Sequence, residues 1–103
     1  MPKFLVTYHG GTMPESAEGR QQAEAAFAEW AGAAGKALAD PGAPLGASKT
    51  VTAGSVADGP AQGPAAGYSI LDAPDLDSAV DLVRGHPFIG RGGALQVSQA
   101  ITP

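Results

Sequence analysis

Two stretches of helical period, each set between short runs of strand type, constrain this chain more than any other feature. Between about Ser16 and Ala39, the residues Ala23, Phe27, Trp30, Ala34 and Leu38 recur at spacings of 4, 3, 4 and 4. That spacing lays an apolar stripe along one side of a helix and leaves Arg20, Gln21, Glu24 and Glu29 off it. Asp40-Pro41-Gly42 is expected to stop this helix, because proline cannot continue the hydrogen-bond ladder. The second helical stretch, Asp75 to Arg84, is shorter and better signposted. Asp75 is its N-cap, with carboxylates in the first turn where the helix dipole favours them. Leu76, Ala79, Val80 and Val83 form the buried side, Arg84 sits at the C-terminus, Gly85 is expected in the left-handed cap, and Pro87 follows.

The intervening runs read as strands. Lys3 to Tyr8 sets Phe4, Val6 and Tyr8 on one face and Leu5 and Thr7 on the other, until His9-Gly10-Gly11 breaks it. Ala47 to Ala53 is strand-like, with Gly54-Ser55 as a two-residue turn and Val56-Ala57 starting the return. Asp58 to Ala66 lacks periodicity and reads as a long surface loop. Tyr68 to Leu71 is a third strand, and Gly92-Gly93 leads into a fourth from Ala94 to Gln99. The order β-α-β-β-α-β with right-handed crossovers predicts an α+β, ferredoxin-like fold. Its four-stranded antiparallel sheet runs in the order 4-1-3-2, with both helices on one face.

That arrangement leaves one sheet face uncovered, and composition sharpens the difficulty. Of 103 residues, 44% are apolar, but only three Phe, one Trp and two Tyr supply large aromatic area. A core built from one such chain is thin. A second copy, sheet against sheet, supplies the missing cover, so a homodimeric α/β barrel is expected.

Charge and composition exclude several classes of partner. Six Lys and Arg spread through a chain of net charge −4 cannot neutralise a run of phosphates, so nucleic acid is not expected. Neither a basic amphipathic helix nor a long apolar run points to a membrane. Met1-Pro2-Lys3 leads directly into strand pattern, with no apolar targeting segment. With zero cysteines there is no disulfide or thiolate chemistry, which fits the cytoplasm. No cofactor fingerprint is present; Gly10-Gly11 and Gly90-Arg91-Gly92-Gly93 read as turns rather than phosphate loops.

A few side chains carry the candidate chemistry. His86, at the closure of the second helix, reads either as an acid–base group near neutrality or as a helix-cap side chain. His9, after the first strand, has the same two readings. In the expected topology both lie at one end of the sheet, where Asp58 approaches from the long loop, while Asp40 lies at the opposite end. A His9–His86–Asp58 cluster is therefore the catalytic candidate, and its spacing supports no metal site. Tyr8 and Trp30 are candidates to line a ligand pocket between sheet and helix, or else simply core. Lys49 reads as a contact for an anionic ligand or as an edge-strand guard against aggregation.

Taken in order, Leu45-Gly46-Ala47-Ser48-Lys49-Thr50-Val51, Asp58-Gly59-Pro60, Gly67-Tyr68-Ser69-Ile70, Ala79 to Pro87 and Gly92-Gly93-Ala94-Leu95-Gln96-Val97 resemble the YCII-related family of small dimeric α/β-barrel proteins. Asp58-Gly59-Pro60 is similar to the Asp-Gly-Pro-Phe signature of one branch, with Ala61 in place of the Phe. The resemblance implies a dimer and, in some relatives, a His–Asp pair with the His on the first helix. Asp40 matches the Asp, but the first helix here contains no histidine, so the pair does not carry over. Two functions follow as expectations. The first is a non-catalytic or regulatory module binding a small ligand or partner in the cleft. The second is a cofactor-free enzyme of lyase or isomerase type using His9 or His86; a barrel of the cofactor-free monooxygenase kind is a third, with no residue that points to it.

Overall fold

The computed structural model describes residues 1–12, 14–59 and 65–101. In chain order the elements are β1 (Lys3–Gly10), α1 (Ala17–Ala34), a 3-10 turn (Gly35–Ala37), β2 (Leu38–Pro44), β3 (Lys49–Thr52), β4 (Ser55–Asp58), β5 (Ala65–Asp72), α2 (Leu76–Val83), α3 (Pro87–Gly90) and β6 (Gly93–Gln99). β2, β5, β1 and β6 lie side by side in one sheet. Every neighbouring pair is antiparallel. The chain is thus α+β with a four-stranded antiparallel sheet.

Alternation along β1 decides which face is buried. Phe4 and Val6 are fully enclosed, and Leu71 and Ser69 stand opposite them on β5. Trp30 from α1 and Ala79 and Val83 from α2 close over the same side chains, with Phe27, Leu82, Leu95 and Val97 packed around them. The indole N–H of Trp30 donates to the Leu82 carbonyl at 2.9 Å and so ties α1 to α2. Both helices therefore pack on the face that carries Phe4 and Val6. On the opposite face Leu5 stands across from Ile70, and Thr7 from Tyr68. Leu5 remains 42% exposed there.

The second strand of the sheet is not where the sequence pattern placed it. The stretch 47–53 forms β3, which pairs only with β4 in a separate hairpin. The turn is Ala53-Gly54, one residue earlier than expected, because Thr52 faces Ser55. The edge position beside β5 is taken by Leu38–Pro44, which had the marks of a helix end. α1 stops at Ala34, where Gly35 turns at a φ of 58°. Asp40-Pro41-Gly42 then serves as a kink within a strand. The Gly42 N–H donates to Asp40 Oδ1 at 2.8 Å, and the pairing with β5 slips between Leu38 and Asp40 and again between Asp40 and Ala43.

The second helix begins as its sequence dictates, with Ser78 N–H donating to the Asp75 carboxylate at 2.8 Å. Its end differs: Gly85 is not among the glycines of positive φ, and the chain leaves α2 through Arg84 in helical conformation. The expected loop from Asp58 to Ala66 is shorter, since β5 already begins at Ala65; Pro60 to Pro64 lie outside the described residues. Among the described residues, no helix is long and apolar enough to cross a membrane.

Candidate functional site

The site is built around the closure of α2. His86 has extended backbone and caps the single turn α3: its Nδ1 accepts the Phe88 N–H at 3.0 Å, with Pro87 in the first position of that turn. Its ring is packed among aromatics, with centroids 4.4 Å from Trp30, 4.9 Å from Tyr8 and 5.6 Å from Phe27. Only 5% of the residue is exposed.

From the imidazole a chain of hydrogen bonds runs across the sheet. His86 Nε2 lies 2.8 Å from Tyr8 Oη, Tyr8 Oη lies 2.7 Å from Ser69 Oγ, and Ser69 Oγ lies 2.8 Å from the Pro41 carbonyl. The two ends fix the direction of every proton. A carbonyl only accepts, so Ser69 donates to Pro41; Ser69 has no second proton, so Tyr8 donates to Ser69; Tyr8 oxygen therefore accepts from His86 Nε2–H. The Phe88 N–H occupies the remaining ring nitrogen. His86 is thus a neutral donor with both nitrogens engaged.

Electrostatics agree with that assignment. Burial disfavours the imidazolium, and the Arg91 guanidinium repels it, so the His86 pKa falls from 6.5 to about 4. Burial likewise raises the Tyr8 phenol above its ordinary value, with the Ser69 bond pulling weakly the other way. Near neutrality no member of the chain carries charge.

Next to this chain lies an open cleft of about 490 Å³. Its walls come from α1, the β2–β5 edge and α3. Tyr8, Phe27 and Phe88 give it an aromatic lining, the β2–β5 edge contributes Pro41 to Pro44 and Gly67, and Arg20, Glu24 and Arg91 supply its charges. A second hollow, about 530 Å³, lies between α1 and α2 and is lined by Trp30, Ala33, Ala34 and Leu82. We favour the first as the candidate site because it holds the aromatic wall, the paired arginines and the hydrogen-bond chain together.

The sequence-derived candidates divide accordingly. Tyr8 and His86 meet at the cleft. Trp30 packs on His86 but lines the other hollow. His9 sits on the opposite face of the sheet, its Nε2 2.7 Å from Thr7 Oγ1. Lys49 and Asp58 pair with each other at 2.8 Å on the separate hairpin, with side chains 68% and 91% exposed. The structure therefore does not bring His9, His86 and Asp58 together. Asp40 was expected far from His86; instead the next residue, Pro41, ends the hydrogen-bond chain that begins there. Among the described residues, no three His, Asp or Glu side chains converge as a metal site would require.

Sequence reasoning passed over Ser69, Phe27, Arg20 and Arg91. Ser69 carried a readable signal, because it stands two residues before Leu71 and therefore on the buried face. A lone hydroxyl there needs a partner. Phe27 reads from sequence only as helix stripe, Arg20 as a residue off that stripe and Arg91 as part of a glycine-rich turn. No family model, curated protein or solved structure matches this chain.

Proposed function

We propose that this chain is a small cytoplasmic protein of the YCII-related kind, which binds a small molecule in the cleft beside Tyr8 and His86 without transforming it. The observation that carries this reading is the hydrogen-bond chain from Phe88 N–H through His86, Tyr8 and Ser69 to the Pro41 carbonyl. A general base needs a lone pair facing substrate and a pKa near the working pH. His86 has its lone pair committed to a backbone amide and a pKa of about 4. What the chain does supply is a rigid floor: it joins β1, β5, β2 and α3 at the base of an apolar cleft.

The architecture is proposed to be ferredoxin-like and completed by a second copy as a dimeric α/β barrel. The sheet order β2-β5-β1-β6, read with β2 as the second sheet strand, supports the 4-1-3-2 arrangement. The exposed face bearing Leu5, Thr7, Tyr68 and Ile70 is the surface that a second sheet would cover. The ligand reading is tested by mild purification followed by mass spectrometry of the released small molecules. A compound should accompany the wild-type protein and be lost from Ala23→Trp, which fills the cleft from α1. Equal recovery from both, or none from either together with no thermal shift across a small-molecule library, would overturn it.

A further inference from the structure

Resting on that reading of the cleft, we propose that its ligand is a small monoanion, a carboxylate on a flat apolar body, with the carboxylate held by Arg20 and Arg91. Of six Lys and Arg, three have carboxylate partners among the described residues: Lys3 with Asp72 at 2.9 Å, Lys49 with Asp58 at 2.8 Å and Arg84 with Asp81 at 3.3 Å. Arg20 and Arg91 form no ion pair among the described residues, and both line the cleft.

Each of these arginines is nevertheless held in place. Arg20 Nε donates to the Pro14 carbonyl at 3.3 Å, and Arg91 Nε donates to the Thr12 carbonyl at 3.2 Å. Both are thus tied to the same short connection between β1 and α1. Using Nε on a backbone carbonyl steadies the guanidinium yet leaves its two terminal amino groups to donate. Arg91 is further steadied over the Phe88 ring, 5.5 Å from its centroid. Oriented guanidiniums at an apolar cleft are suited to a planar carboxylate, which accepts paired hydrogen bonds.

Charge and lining set the rest of the ligand. Glu24 also faces the cleft, so two cations and one carboxylate leave a balance of one positive charge, which a monoanion neutralises. Tyr8, Phe27 and Phe88 provide ring faces for a flat body. The polar groups of the floor are bonded to one another, and no buried polar side-chain atom among the described residues lacks a partner. The body of the ligand therefore meets no polar demand and is apolar. The protein as a whole carries net charge −4, so anions are not drawn to it generally.

Two near-isosteric probes test this: 2-naphthoate and 2-naphthamide, titrated into the full chain by calorimetry at low salt. The acid should bind ~10-fold or more tightly than the amide, and Arg20→Gln or Arg91→Gln should each remove most of that preference. Arg91→Lys should keep part of it, and Lys36→Gln, away from the cleft, all of it. Because Arg91 bears on His86, the titration midpoint of the His86 ring followed by NMR should rise with the acid and not with the amide. Equal affinity for acid and amide would overturn the anion assignment and leave the cleft reading standing. A preference that survives both glutamine variants would overturn it too, by placing the anion elsewhere. Binding of neither probe would overturn the cleft reading together with it.

Discussion

His86 spends both ring nitrogens within the fold, and that has a measurable cost at low pH. In the unfolded chain its imidazole titrates near 6.5, whereas in the folded chain it titrates near 4. The unfolded state therefore takes up the proton first. Stability is complete above pH 6.5 and declines as pH drops from there toward 4. The Asp75 carboxyl, held below its ordinary 3.8 chiefly by the Ser78 backbone N–H, adds its own loss only at more acid pH. Urea denaturation of wild type and His86→Gln across pH 8 to 4 should show the wild-type curve sloping where the variant is flatter. Parallel curves would refute the assignment. Further along the chain, Ser69→Ala should cost about 1–3 kcal/mol, since it strands the Tyr8 hydroxyl. Tyr8→Phe should cost a similar amount, and the double variant clearly less than the sum, because the two side chains share one bond.

Among the elements, β2 is the one whose existence rests on a single residue. Gly42 has a φ of 74°, and a Cβ there would collide with the Tyr68 carbonyl. Gly42→Ala should therefore destabilise the fold by at least about 2 kcal/mol. Hydrogen exchange should show the loss confined to the β2–β5 ladder, with the β1–β6 ladder still protected; uniform loss would mean that β2 is not an independent edge. This element also marks where the sequence ceases to be readable. Asp40-Pro41-Gly42 carries every local mark of a helix stop, and only pairing with β5 turns it into a strand. β1, α2 and β6 were legible because alternation, capping and apolar spacing agree within each. The site was half legible: Tyr8 and His86 stand out by type and position. Phe27, Ser69 and the two arginines join them through tertiary placement alone.

At the scale of the molecule, the Cα framework measures 45 × 41 × 19 Å. The short dimension is about one sheet and one helix layer, so among the described residues the face bearing Leu5 and Ile70 has no second layer of its own. Covering it with another copy would extend a core whose fully enclosed large side chains, among the described residues, are Phe4, Leu71 and Val6. Leu5→Glu should accordingly convert a dimer to a monomer in sedimentation at micromolar concentration and lower the thermal midpoint. A wild-type protein that sediments as a monomer there would end the barrel reading.

The packing of Trp30 against His86 has a further, optical consequence. The chain has one tryptophan, 8% exposed, so its emission should be blue-shifted and carry no background from a second indole. With ring centroids 4.4 Å apart, an imidazolium formed at His86 would quench that indole directly. Fluorescence of the unlabelled protein thus reports the charge on His86, and through it any event at the cleft that changes that charge.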